Sequence, residues 1–382
     1  MRAVVRLLDR YLFRELLLPL AYCVIGFLLC FTIFDLFSQL DEFQRNKLVG
    51  SDILDYYANR IPELIVGSYV MPMALLLALL YALTNHSRHN ELTAMRAAGV
   101  SLWRISMPYF VVGIVFSVVV LVLNESVVPD AADAADRVLL RHATAPAKGG
   151  DKIAKRNVNF INQNDRRTWL IGEYNLQTRR MLKPHIDWYL PSGTRWVIFA
   201  EQGRWIRRHW VLTNVQQFVY APVNDGLPTE KFMTNRFDLP PMIETPRLIE
   251  SEIKISGLES LKSLRRTQIS SGAILDYMKL HPNLELEPKK RDALLTLLHS
   301  RIAAPWTCFV VVLIAVPFGA LPGRRNAFVG VASSIFICFV FFVAKDLTLA
   351  LGSGGWVPPW LAAWAPNAFF AITGLALMWR VR

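Results

Sequence analysis

The sequence predicts a membrane α-helical bundle of six transmembrane helices carrying an inserted all-β, jelly-roll-like domain. Three observations predict it. Apolar runs long enough to cross a bilayer, which takes about 20 residues, occupy both ends of the chain, three at each end. Residues 130–290 between them are densely charged and contain no such run. Lys and Arg concentrate in alternate loops, as the positive-inside rule requires of a multi-pass protein.

The 382 residues are 53% hydrophobic with a mean hydropathy of +0.30. Soluble domains run nearer about 45–50% apolar, and here the polar middle dilutes a larger excess at the ends. The reading divides the chain into residues 1–129 (helices one to three), 130–290 (the β-domain and its linker) and 291–382 (helices four to six).

The first apolar run is Leu16 to Phe37, preceded by Arg2, Arg6, Arg10 and Arg14 against Asp9 and Glu15. It is too long for a signal peptide and no small-residue cleavage site follows, so it reads as a retained helix. The second run, Ile61 to Leu83, contains Pro62 and Pro72 and predicts a bent helix. The third, Ile105 to Val128, is expected to stop at Pro129, with Asn124 and Glu125 in its last turn.

The middle third alternates in the manner of strands. Asn157–Ile161 is one such stretch, Trp196–Ala200 and Trp205–Leu212 around Gly203 read as a hairpin, and Gln216–Tyr220 follows. Helical spacing returns after Pro246, at Leu258, Leu261 and Leu264, then Ile274 and Met278, and again over Arg291 to Ser300. The last three runs are Ile302–Ala320, Phe328–Leu351 (with Lys345 and Asp346 near its end) and Trp360–Met378.

With the N-terminus inside, the inside segments carry Arg2, Arg6, Arg10 and Arg14, then Arg88, Arg96 and Arg104, then Arg324 and Arg325, then Arg380 and Arg382. The short outside loops carry only Arg45 and Lys47, offset by Asp41, Glu42 and Asp52, and none in 352–358. Both termini therefore fall inside and the β-domain outside. This topology accounts for the net charge of +12, and nucleic acid is not an expected partner. Cys23, Cys30, Cys308 and Cys338 all lie in apolar runs and read as small buried hydrophobes, with no disulfide framework or Cys-type metal site.

No phosphate-binding G-x-x-x-x-G-K-[ST], G-x-S-x-G or H-E-x-x-H pattern is present, and no cofactor is expected. His86 and His89 share a helix face but have no third metal ligand near them. In the middle domain His185, Asp187 and Glu201 are the residues a membrane-anchored enzyme would use, without a spacing that marks an acid/base pair.

The loop between helices two and three is more informative. Ser87 or Asn90 can cap a short helix, Leu92, Met95 and Ala98 fall on one face, and Gly99 is a natural stop. This predicts an amphipathic helix over about 87–99 on the inner side, either a plain interfacial helix or a docking element for a cytoplasmic partner.

The stretch Asn90-Glu91-Leu92-Thr93-Ala94-Met95-Arg96-Ala97-Ala98-Gly99-Val100-Ser101 closely resembles the coupling helix of the LptF/LptG permease family, which extracts lipopolysaccharide from the inner membrane. Leu8–Glu15 is similar to the family's opening. Leu298–Arg301 with Pro305 and Pro317-Phe318-Gly319 resembles its fourth helix, and Ile255–Leu258 resembles its preceding linker. The opening and the linker lean to the G type.

The resemblance implies a permease subunit in the inner membrane of a Gram-negative-type bacterium, paired with a sister permease and driven by an LptB-like cytoplasmic ABC ATPase dimer. The β-domain would be periplasmic and pass lipopolysaccharide to LptC/LptA-like bridge proteins. Glu91, Leu92, Met95, Arg96 and Gly99 would couple to the ATPase, with Glu91 taking an arginine as a carboxylate can. G-type members carry a basic residue near the outer end of helix one. Here Asp35 stands in that region and Lys345 is the nearest basic candidate; the two either pair at the substrate gate, within the chain or across the dimer, or snorkel independently to the outer interface.

A cavity for acyl chains would be lined by Phe27, Phe31, Phe34, Phe341 and Phe342. Phe160, Trp196, Phe199 and Phe218 are expected inside the β-domain. The alternative reading is a membrane-anchored periplasmic scaffold or lipid-binding protein without ATPase coupling.

Overall fold

A computed structural model describes residues 7–67, 69–139, 141, 154–176, 178–221, 227–256, 269–281, 288–319 and 324–380. The expected linker helix positions Leu258, Leu261 and Leu264, the termini with Arg2, Arg6 and Arg382, and the side chains of Arg324 and Arg325 lie outside the described residues. The chain forms two compact units, Met1–Leu139 with Pro288–Arg382, and Leu140–Glu287.

The first unit is helical. Its elements are α1 (Leu7–Arg45), α2 (Gly50–Gly67), α3 (Val70–Arg88), α4 (Glu91–Ala97), α5 (Leu102–Val122), a π turn (Leu123–Val127) and α6 (Val128–Leu139). After the second unit come α9 (Pro288–Ala303), a 3-10 turn (Ala304–Trp306), α10 (Thr307–Gly319), α11 (Arg324–Ser353) and α12 (Pro359–Arg380). Six helical stretches among the described residues are long and apolar enough to cross a membrane.

Two expectations about the helices need correction. The second run is not one bent helix. It breaks at Tyr69, which takes φ 58, so α3 alone is the candidate span and α2 is a separate helix. The third run does not end at Pro129. The chain passes through the π turn into α6, and Pro129 sits in the first turn of that helix, without the N–H that would serve a carbonyl of the preceding turn. Helix α6 packs against α2, with Phe43, Tyr56, Ala135, Val138 and Leu139 in a small core of their own.

Helix α10 is the hub. It touches α3, α5, α11 and α12, and nearly every residue from Thr307 to Gly319 is buried. In lipid, apolar burial does not by itself draw helices together; close packing does. Gly374 of α12 shows how close. A Cβ there would lie 2.8 Å from the Leu313 carbonyl oxygen, so α12 reaches α10 only through glycine. Exposed tryptophans mark both ends of the bundle, Trp356 and Trp360 at one and Trp379 at the other, as at membrane interfaces.

The second unit is one antiparallel sheet: β1 (Ala154–Asn162), β2 (Arg167–Asn175), β3 (Arg180–Tyr189), β4 (Arg195–Phe199), β5 (Gln202–Ile206), β6 (His209–Tyr220) and β7 (Glu230–Asp238). β4 and β5 are two halves of one broken strand, each paired with β3 and β6. Every pairing then joins sequence neighbours, which makes a meander; no crossover of the jelly-roll kind occurs among the described residues. The expected hairpin turns at Arg207–Arg208 and not at Gly203, with Ile206 opposite His209. Both arginines have positive φ, 49 and 71, the combination a type I′ turn demands.

A fold line crosses the sheet. In β2 the core side switches from Trp169 and Ile171 to Tyr174; in β3 from Met181 to Ile186; in β6 from Trp210 and Leu212 to Val215. A regular strand keeps one parity, so each strand must slip a half-step. The slips lie side by side at Gly172, Lys183 (φ 48), the β4–β5 break and Asn214 (φ 51). Lys183 N–H donates to Glu201 O at 2.8 Å and Glu201 N–H to Thr213 O at 3.1 Å, so the line is itself hydrogen-bonded.

Two helices, α7 (Pro246–Ser256) and α8 (Ser271–Leu280), complete the core through Leu248, Ile249, Ile253 and Leu280. The fully buried Glu244 pins the chain leading into α7. Its carboxylate accepts from Asn162 Nδ2 at 2.7 Å and pairs with Arg167 Nε at 3.0 Å, and its carbonyl accepts from Trp210 Nε1 at 2.6 Å.

Candidate functional site

The α3–α5 loop is built by two backbone reversals. Asn90 at φ 58 ends the α3 direction and starts α4; Gly99 at φ 83, which residues other than glycine rarely adopt, ends it. Ser101 Oγ then accepts from Arg104 N at 3.3 Å and caps α5. Asn90, not Ser87, holds the N-cap position, and its side chain makes no cap bond. Leu92 is buried, and Met95 packs against the bundle core. Ala98, expected beside them, is exposed, as are Thr93, Arg96, Ala97 and Gly99.

Glu91 points into the bundle. Its Oε2 accepts from the Tyr11 hydroxyl at 3.0 Å and from His86 Nδ1 at 2.7 Å. Burial pushes its carboxyl up, but the hydrogen bonds from His86 and Tyr11 outweigh it and hold it below the usual carboxylate range. Arg104 Nη2 reaches Asp9 at 2.8 Å close by. No local pattern in the chain marks the roles of Tyr11, His86, Asp9 and Arg104. His86 is five residues from Glu91, off the helical spacing of three or four, and only the turn at Asn90 brings them together.

The gate candidates separate. Asp35 accepts from the Tyr57 hydroxyl at 3.2 Å. Lys345 is buried, donates to Thr307 Oγ1 at 3.0 Å and lies 5.1 Å from the Tyr69 ring; Tyr69 in turn donates to Asp346 at 2.7 Å. The two charges thus take different partners within the chain. Phe34 is 71% exposed, and Phe27 and Phe31 are half-buried along α1. Phe341 does not face outward: it is fully buried in the bundle core against Phe370, while half-buried Phe342 stacks near Tyr69.

Helices α1 and α11 stand out for what they leave open. Only 11% of the apolar window of α1 and 22% of that of α11 is buried, against 72% for α3. Ile25, Leu29, Ile33 and Phe37 of α1 and Phe336, Phe339 and Val343 of α11 are exposed.

In the sheet, Phe160 is buried and Trp196 packs on the core. Phe199 is not inside. It is 43% exposed on the opposite face, stacked on His185 at 4.2 Å, and Phe218, also expected inside, shares that face, edge-on to it at 6.0 Å. Residues three apart on a regular strand point to opposite faces, so Trp196 and Phe199 could not both be inside. Asp187 is paired with Arg195 at 2.7 Å, and Glu201 accepts from Asn214, so the candidate catalytic trio holds no free acid/base pair. Among the described residues, no cluster of His, Cys, Asp or Glu could hold a metal.

Among curated proteins none matches the chain. The family described as lipopolysaccharide export system permease LptF/LptG matches residues 10–380.

Proposed function

We propose, from the premise that the chain belongs to the LptF/LptG family of lipopolysaccharide export permeases, that it is one permease subunit of an ABC transporter driven through α4. The protein is a multi-pass inner-membrane transport permease and not itself an enzyme. The observation that carries the proposal is α4 itself: a short helix anchored by Leu92 and Met95, with Thr93, Arg96, Ala97 and Gly99 turned outward.

In this reading α4 docks on a cytoplasmic ATPase dimer of the LptB type, and both chain termini lie on that side. The open faces of α1 and α11 support a sister permease and a lipid-accepting cavity, with Phe27, Phe31, Phe34 and Phe342 toward the acyl chains. Asp35 and Lys345 act at the gate through separate partners, or meet a charge of the sister subunit. The β unit is periplasmic and hands lipopolysaccharide to bridge proteins of the LptC/LptA type.

The test is a pull-down of the tagged chain from mild-detergent membranes, wild type beside Arg96→Glu, reading bound ATPase activity. Recovery with wild type that falls in the variant supports coupling through α4. If neither an ATPase nor a sister permease comes with wild type, even after crosslinking, the sheet is to be examined as a scaffold or lipid-binding module.

A further inference from the structure

Three helices meet on one carboxylate. Glu91 opens α4, Tyr11 lies in the second turn of α1, and His86 lies in the last turn of α3. The Tyr11 and His86 rings are 5.6 Å apart, and both donate to Glu91 Oε2. His86 is fully buried and its Nε2 has no hydrogen-bond partner, so the ring proton belongs on Nδ1, where Glu91 receives it. Two residues before Tyr11, Asp9 holds Arg104 at the start of α5. The first two turns of α1 are therefore tied twice to the segment that contains α4.

Beyond these ties α1 packs on α3 through the buried Leu12, Leu16 and Leu20, with Cys23, Val24 and Phe27 partly buried against the same core, and it is buried again at Phe43 near its far end. The stretch between carries the exposed apolar face.

We propose that Tyr11 and His86 are positioning residues that clasp Glu91, so that displacement of α4 is delivered to α1 and not absorbed by the loop. The inference rests on the reading of α4 as the coupling element and adds the route by which its motion reaches the bundle. It assigns the Glu91 carboxylate an internal task, carried by Oε2, beside the ATPase contact proposed for α4. A hydrogen bond to a charged, partly desolvated group is among the stronger single contacts in a protein, so removing the Tyr11 hydroxyl alone loosens the link between α4 and α1.

The test uses the purified complex of ATPase, sister permease and this chain in proteoliposomes loaded with lipopolysaccharide, for wild type, Tyr11→Phe, His86→Phe and His86→Asn. Two quantities are read: ATPase retained on the complex, and lipid released per ATP hydrolysed. The amide of His86→Asn can replace the Nδ1 donor. The expected result is full ATPase retention in all four, a fall of roughly tenfold in lipid per ATP for Tyr11→Phe and His86→Phe, and near wild-type coupling for His86→Asn. Unchanged coupling in Tyr11→Phe overturns the clasp, as does loss of ATPase retention in that variant, which would make the network part of the docking surface. Should His86→Phe fail to fold, Tyr11→Phe and His86→Asn carry the comparison. Absence of ATPase from the wild-type complex is a different failure: it removes the coupling reading itself.

Discussion

Arg301 and Asn124 hold each other inside the bundle. Arg301 Nη2 donates to the main-chain and side-chain oxygens of Asn124 at 2.5 and 3.0 Å, and Asn124 Nδ2 donates back to Arg301 O at 3.4 Å. Asn124 lies in the π turn between α5 and α6, so the guanidinium takes up backbone oxygen that an α-helix would have used itself. Asn124→Leu removes the side-chain acceptor from a buried cation. A stability loss of roughly 1.5–3 kcal/mol is expected, read as a lowered melting temperature in detergent. A melt unchanged from wild type would mean that the main-chain bond alone holds the turn.

The β unit should lose stability in mild acid through His185. Burial lowers the His185 value from its ordinary 6.5, with Asp187 opposing and Arg195 adding to the effect. The unfolded chain then binds the proton more readily than the folded one, so stability is full above the ordinary value and declines as pH falls from there toward the lowered one. Melting of the full chain from about pH 7.5 to about pH 5.5 should fall less in His185→Phe, which keeps the stack on Phe199 but cannot titrate. Equal falls in both would assign the acid sensitivity to another group.

The Arg207–Arg208 turn is strained as built. Two non-glycine residues in the left-handed region cost about 1–2 kcal/mol each. Replacing them with Asn-Gly, the pair that suits a type I′ turn, should stabilise the β unit by roughly 1 kcal/mol. Chemical denaturation followed by tryptophan fluorescence would show a higher midpoint, and no gain would mean that the arginines hold the turn by other contacts.

Asp35 and Lys345 give a separable result. Because each has its own partner, Tyr57 for Asp35 and Thr307 for Lys345, the double swap Asp35→Lys with Lys345→Asp should transport no better than either single change. Recovery in the double swap would show that the two charges meet in a state other than this one.

Much of this was legible in the chain itself. The apolar runs gave the spans because a bilayer sets their length, and the arginines of alternate loops predict which side each loop takes. What escaped was conformation at single residues. Tyr69, Asn90, Lys183 and Asn214 take left-handed backbone, which Asn tolerates without requiring it and which nothing marks at Tyr69 or Lys183, yet they break the second helix, bring His86 to Glu91 and crease the sheet. Phe341 and Phe342 are adjacent on one helix and equally apolar; which of them faces the core depends on where α12 packs. Tyr11 and Glu91 are eighty residues apart, and no local pattern could join them.

The place of α10 in the chain sets an order of assembly. α3 and α5 are synthesised before the β unit and their shared partner α10 after it. Until Thr307–Gly319 enters the membrane, the faces it will cover stand open to lipid, and the first three spans can be only loosely arranged. The sheet has no such wait. Each strand pairs with the one made just before it, counting β4 and β5 as one, so it can close hairpin by hairpin as it is made. A chain that stops before Thr307 should therefore carry an ordered sheet on a bundle that has not yet set. Such an intermediate would be open to membrane proteases at α3 and α5 and protected in its β unit.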